Sequence, residues 1–140
     1  MSKLSISDFV LSTSNGMTLA PEGSNITIAE WNAEGTPEGE TPMLMAPLHL
    51  HHEDDEAWFI LEGTLGFQIG DETIEANCNE AVIVPHGTPH TFWNPKQEPA
   101  RYLIIMTKQT KTLIEAIHST SDRSSETMKK LFAQYGAELL

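Results

Sequence analysis

Between Ser24 and Thr107 the chain never runs far without a turn-forming residue, and no other feature restricts its fold as much. Short stretches rich in Ile, Val, Thr, Phe and Trp are cut by Gly63, Gly70-Asp71, Asn77–Asn79 and Asn94-Pro95. Gly takes up left-handed backbone without steric cost, Asn tolerates it, and Pro cannot donate to a β-ladder. The spacing predicts about eight short strands: Ser24–Trp31, Met43–His51, Glu56–Leu61, Thr64–Ile69, Thr73–Glu75, Ala81–Val84, His90–Trp93 and Arg101–Thr107. Strands this short and this frequent close into a sandwich, jelly roll or barrel, so the expected class is all-β. Ala33–Pro42, with its two Gly, two Pro and three Glu, reads as a surface loop.

Past Lys108 the period changes. Met128, Leu131, Phe132, Tyr135 and Leu139 recur at helical spacing, Ser125 can cap the start, Glu126 suits the first turn and Gly136 can end it. A helix over Ser125–Tyr135, packed outside the sheets, is expected. Leu113, Ile114 and Ile117 fit either a short helix or an edge strand. The whole chain, 1–140, then makes one domain, with a barrel core at about 24–107 and a C-terminal helical extension at about 111–140. Met43–His51 is apolar at both odd and even positions, unlike a sheet with one wet face. The helix or a second subunit must cover the outer face, hence an expected homodimer.

Composition excludes several function classes. Eight Lys and Arg against twenty Asp and Glu give a net charge of −12, the wrong sign for a nucleic-acid partner. Cys78 is the single cysteine, so no internal disulfide can form; with no cation beside it in sequence it reads as a bystander in a reducing compartment. Met1–Val10 has no apolar run of a signal peptide, and no segment has the roughly 20 apolar residues of a membrane span. A soluble, cytoplasmic protein with no membrane partner is expected. Asn25-Ile26-Thr27 matches a glycosylation sequon but reads as strand residues.

The chemistry concentrates in two clusters. The first is His49-Leu50-His51-His52-Glu53-Asp54-Asp55-Glu56, and the second is Pro85-His86-Gly87-Thr88-Pro89-His90-Thr91-Phe92-Trp93-Asn94. Neutral imidazoles with a carboxylate are what a divalent transition metal requires. His49 and His51 leave one face of a strand, whereas Glu56 is an odd step away and joins them only if the chain bends over His52–Asp55. Trp58 and Ile60 share Glu56's face. His90 arrives from a distant strand, with Phe92 and Asn94 on its side.

These residues resemble the two motifs of the cupin superfamily. His49-x-His51, four residues, Glu56, six residues and Gly63 matches the first; Pro85-x-Gly87, two residues, His90, three residues and Asn94 matches the second. The glycines that usually lead the motifs are replaced by Met43 and Asn79, which are turn positions rather than ligands. The resemblance implies a cupin jelly-roll (double-stranded β-helix) barrel with the C-terminal helix outside it. It also implies that His49, His51, Glu56 and His90 hold one divalent transition metal (Fe, Mn, Ni, Co, Cu or Zn).

Three histidines and one carboxylate leave positions open for a small-molecule substrate with chelating oxygens. Met45, Trp58, Phe67, Phe92 and Tyr102 are candidates for the pocket wall, a lining suited to a flat or apolar molecule. The expected function is that of a metal-dependent dioxygenase, similar to quercetinase-like cupins and acting on an enolisable or phenolic substrate, with Glu56 as the catalytic base. A non-catalytic small-molecule-binding cupin and a non-redox isomerase or lyase are the alternatives. His52, His86 and His118 read as surface residues, and Glu53-Asp54-Asp55 as a solvated acidic turn.

Overall fold

The computed structural model describes residues 5–10, 12 and 17–140. In chain order the elements are a 3-10 turn (Ile6–Phe9), β1 (Thr18–Leu19), β2 (Ile26–Ala33), β3 (His49–His51), β4 (Glu56–Glu62), β5 (Thr64–Ile69), β6 (Glu72–Asn77), β7 (Ala81–Val84), β8 (His90–Trp93), β9 (Ala100–Thr107), α1 (Lys108–Ser119), α2 (Ser125–Gln134) and β10 (Ala137–Leu139). The strands form two antiparallel five-stranded sheets, ordered β1-β2-β9-β4-β7 and β10-β3-β8-β5-β6. This is the jelly-roll architecture expected from the sequence, with the helical segment outside the sheets.

Strict alternation builds the core. Along β9, Ala100, Tyr102, Ile104 and Met106 are buried and their neighbours are not; β4 does the same with Glu56, Trp58 and Ile60. The opposing sheet contributes Leu65, Phe67 and Phe92. Trp58 packs edge-on to Phe67 at 5.2 Å between ring centroids and lies 5.4 Å from Phe92, the offset geometry aromatic quadrupoles prefer.

Two turn positions explain their residues. Gly63 has φ +79° between β4 and β5, and a Cβ there would lie 2.7 Å from the Pro99 carbonyl oxygen, so both torsion and space demand glycine. Asn79 has φ 70° and is the one non-glycine residue with positive φ among the described residues. Asparagine therefore serves where the family motif has its leading glycine.

Three expectations need correction. The strand read over Met43–His51 is only His49–His51; upstream, Leu44 makes a single bridge to Trp93 and Met43 is 83% exposed. Pro47 has no N–H to extend the ladder. The side chains apolar on both faces lie instead in β4 and β9. The cap of the last helix is Ser124, whose side chain accepts from the Thr127 N–H, rather than Ser125. Finally, Leu139 does not continue the helical stripe. Gly136, at φ +72°, reverses the chain, and Ala137–Leu139 pairs with the free edge of β3, placing Leu139 opposite His49. The ambiguous Leu113–Ile117 segment is helical: Thr107 caps α1 by accepting from the Thr110 N–H, and Leu113 packs with Phe132 and Ala137 in a second apolar cluster.

Candidate metal centre and cavity

The bend over His52–Asp55 does more than rotate a face: it carries the chain from one sheet to the other. β3 and β8 lie side by side in one sheet, with His49 directly opposite His90, while β4 lies in the facing sheet. Three imidazoles therefore point inward from one wall and the Glu56 carboxylate meets them from the other. All four residues are buried, at 7% (His49), 2% (His51), 6% (Glu56) and 2% (His90) exposed. One donor atom from each lies within 4.8 Å of all the others.

The atoms that converge suit a cation. His49 Nδ1 lies 2.6 Å from the Pro47 carbonyl and His90 Nδ1 lies 2.9 Å from the Thr88 carbonyl, so each donates there and keeps a bare Nε2 lone pair. His49 Nε2 lies 3.2 Å from His51 Nε2; Glu56 Oε1 lies 3.3 Å from His51 Nε2 and 3.2 Å from His90 Nε2. Lone pairs aimed at a carboxylate repel unless a proton or a cation sits among them. Ligands about 2.1 Å from an ion are about 3.0 Å apart at right angles and about 3.4 Å apart in a tetrahedron, and these three distances fall between. The donor set thus fits a divalent transition metal, and His49, His51, Glu56 and His90 are the residues that would hold it.

Burial alone would raise the Glu56 pKa; without a metal, a proton between Glu56 and the His51 and His90 Nε2 atoms takes the cation's place, and those hydrogen bonds and charges hold the carboxyl at about 2. Burial and the neighbouring His90 lower His49 to about 4, against the opposing hydrogen bond to Pro47. Burial, and then the negative charge of Glu56, raise the Tyr102 phenol. The Trp58 Nε1–H, on a residue 1% exposed, has no hydrogen-bond partner among the described residues.

The cluster borders a cavity of about 420 Å³. Met45, Trp58, Phe92 and Tyr102 line it, as do His49, His51 and Glu56. Phe67 lies behind that wall rather than on it, stacked on Phe92 at 5.8 Å and touching Trp58. The helices supply lining that sequence reasoning missed: Leu113, Ile114 and Ile117 from α1, and Phe132 from α2, whose ring lies 5.5 Å from that of His49. Their apolar stripe was legible, but nothing in it says that its inner edge faces a cavity. Trp31 and Asn32 of β2 complete the wall.

The remaining histidines lie apart from the centre. His52 is exposed and its N–H donates to the Gly136 carbonyl. His86 is exposed too: its backbone N–H donates to Asp55 Oδ1, and its Nδ1 lies 2.8 Å from the same oxygen. These bonds hold the Asp55 carboxyl below its usual value and pin the acidic bend to the β7–β8 connection. His118 is exposed but stands at the cavity mouth. Asn94 is structural: its amide donates to the Ala33 and Glu98 carbonyls and accepts from the Lys96 N–H, satisfying a buried turn.

Comparison with known proteins agrees with this geometry. Residues 41–106 match the model of the cupin domain family. Over 48 residues the chain is 35% identical to mannose-1-phosphate guanylyltransferase 2 of Escherichia coli O157:H7, covering 34% of this chain and 10% of that enzyme's length. A cupin protein from Bacteroides fragilis superposes with a TM-score of 0.57 at 16% identity, over 76% of this chain and 83% of its own. A structure described as a sugar phosphate isomerase from a cupin superfamily, from Silicibacter pomeroyi, gives 0.51 at 22% identity, over 61% of this chain and 52% of its own. These structural likenesses establish the fold alone. No helix among the described residues is long and apolar enough to cross a membrane. With the motif residues gathered at one buried point between two jelly-roll sheets, the fold is that of the cupins, and residues 41–106 carry the match to the cupin domain family.

Proposed function

We propose that this protein is a metal-dependent dioxygenase for a small, largely apolar molecule that presents an enol or phenol oxygen pair to the His49–His51–Glu56–His90 centre. The observation that carries the reading is the position of that centre, on the wall of an otherwise mostly apolar cavity of about 420 Å³. A bound divalent metal would supply Lewis acidity and, if redox-active, a route for electrons between substrate and dioxygen. The protein's own residues do the rest. Trp58, Phe92 and Ile104 exclude water and accept a flat apolar body. Glu56, the one carboxylate on the lining among the described residues, takes the substrate proton. Tyr102, on the cavity lining, offers its O–H as a donor to an anionic oxygen.

A sugar phosphate, the substrate class in the name of the Silicibacter structure, would need cationic walls, and the lining among the described residues contains neither Lys nor Arg. With a free, exposed Cys78, a reducing cytoplasm suits the chain. The test is elemental analysis of protein purified without chelator, followed by oxygen-electrode assays on enols and flavonols. About one redox-active metal per chain, absent from His51→Ala, with oxygen uptake lost in a Glu56→Gln variant that keeps its metal, is the expected outcome. Bound zinc and no oxygen uptake would turn the reading to a Lewis-acid isomerase or lyase. A site that takes up no metal would turn it to a binding module.

A further inference from the structure

Three buried side-chain polar atoms lack a hydrogen-bond partner among the described residues: His51 Nδ1, Asp54 Oδ2 and Trp58 Nε1. The first two flank the bend that follows β3. Trp58 stands instead within β4, on the wall of the cavity. A buried indole N–H ordinarily finds an acceptor, because leaving it unpaired costs its full desolvation. Its neighbours explain why the chain supplies none. Register sets Trp58 opposite Ile104 and Val82, whose side chains accept nothing. The rings against it are Phe67, Phe92 and His90, the last at 5.9 Å between centroids. His90 has no nitrogen to spare: Nδ1 is held at the Thr88 carbonyl and Nε2 at Glu56. What remains beside the indole is the cavity, which it lines together with Phe92 and Ile104.

We infer that the Trp58 N–H determines which ligand the cavity accepts, by donating to a carbonyl or enolate oxygen held beside the metal centre. The inference deepens the reading of the cavity as a site for an oxygen pair, and rests on it. Position selects the acceptor. Trp58 shares the inner face of β4 with Glu56, two residues and so about 7 Å along the strand, and its ring lies against that of His90. The donor therefore serves an oxygen at the metal end of the cavity, not a group at the mouth, where His118 stands. An indole nitrogen donates and never accepts, whatever the pH. A molecule with hydrogen or methyl where that oxygen belongs leaves the buried N–H unpaired, so it is rejected more strongly than the loss of one contact requires. The ligand class is thus a flat, largely apolar molecule with a carbonyl or ionised oxygen next to the atoms that meet the metal.

The test is the indole region of the nitrogen–proton correlation spectrum of the isotope-labelled, zinc-loaded full chain, titrated with 4-nitrocatechol. The chain has three tryptophans, Trp31, Trp58 and Trp93, and Trp31→Phe and Trp93→Phe assign the Trp58 signal by elimination. That signal should move downfield on binding, as a proton gaining a charge-assisted hydrogen bond does, while Trp93, whose indole packs on Gly66, stays in place. Trp58→Phe should weaken 4-nitrocatechol by about tenfold and leave the affinity for naphthalene, which has no oxygen, unchanged by its fluorescence. A ring with only a structural role would weaken both probes alike. Should that variant fail to fold, the titration of the unaltered chain decides alone. A bound probe that leaves the Trp58 signal in place, an equal loss for both probes, or no binding of 4-nitrocatechol overturns the inference. The dioxygenase reading stands or falls separately, on oxygen uptake, which zinc-loaded protein does not need in order to show the shift.

Discussion

Acidification of the metal-free protein from pH 7 to pH 5 should cost it stability, and His49 sets the amount. Its imidazole is 7% exposed and held at about 4 by burial and His90, against an ordinary value of 6.5. In the unfolded chain it takes up a proton near pH 6.5, whereas the folded protein resists until about pH 4. The unfolded state therefore binds more protons across that window, and the contribution, complete above pH 6.5, is lost as pH falls. Integrated over the window, the loss is about 2 kcal/mol by pH 5 and about 3 kcal/mol by pH 4. Glu56 works in a lower window: held at about 2 against 4.5, its contribution drains away below pH 4.5. Urea unfolding of chelator-treated protein at half-unit pH steps measures the curve. His49→Leu removes the titrating ring while keeping an apolar side chain, and it should flatten the slope between pH 7 and 5. An equal slope in wild type and variant would refute the reasoning. Metal bound to the histidines should also fall away in this range, because protons compete for the same nitrogens.

Three further outcomes follow from the packing. Phe132→Ala removes a ring, 3% exposed, from between α1 and His49; it should cost about 3–5 kcal/mol in denaturant unfolding, and a loss under 1 would mean the helices do not seal the cavity. Gly66→Ala would drive a Cβ into the Trp93 indole and should destabilise by about 1–3 kcal/mol, with partial rescue by Trp93→Leu in a double-mutant cycle. Tyr102→Phe should keep fold and metal content but weaken binding of 4-nitrocatechol to the metal-loaded protein by about tenfold, read from the probe's visible spectrum. Equal affinity would show that the hydroxyl does not meet the ligand.

The jelly roll was legible because its information is local. Turn chemistry at Gly63 and Asn79 and two-residue alternation along β4 and β9 each need only neighbours in sequence. The ligand quartet was legible as a spacing pattern, since His49 and His51 must leave one face of any strand. Two local signals misled. The apolar run Met43–Leu48 has the composition of a strand, but Pro47 cannot join a ladder, and only a bridge at Leu44 forms. Leu139 kept helical spacing with Phe132, but Gly136 and the open edge of β3 drew it into a sheet.

What sequence alone determined, then, is which side chains are chemically able to act: three imidazoles, one carboxylate, and aromatic residues on alternating positions. Only the tertiary structure decided how they face one another. It sent β3 and β4 to opposite sheets, so that Glu56 meets the histidines across the barrel instead of lying beside them. It laid α1 and α2 along the cavity, and left an apolar sheet face outside it. These facts rest on pairings between residues tens of positions apart. A strand's own pattern says which faces are apolar, but not which partner buries them.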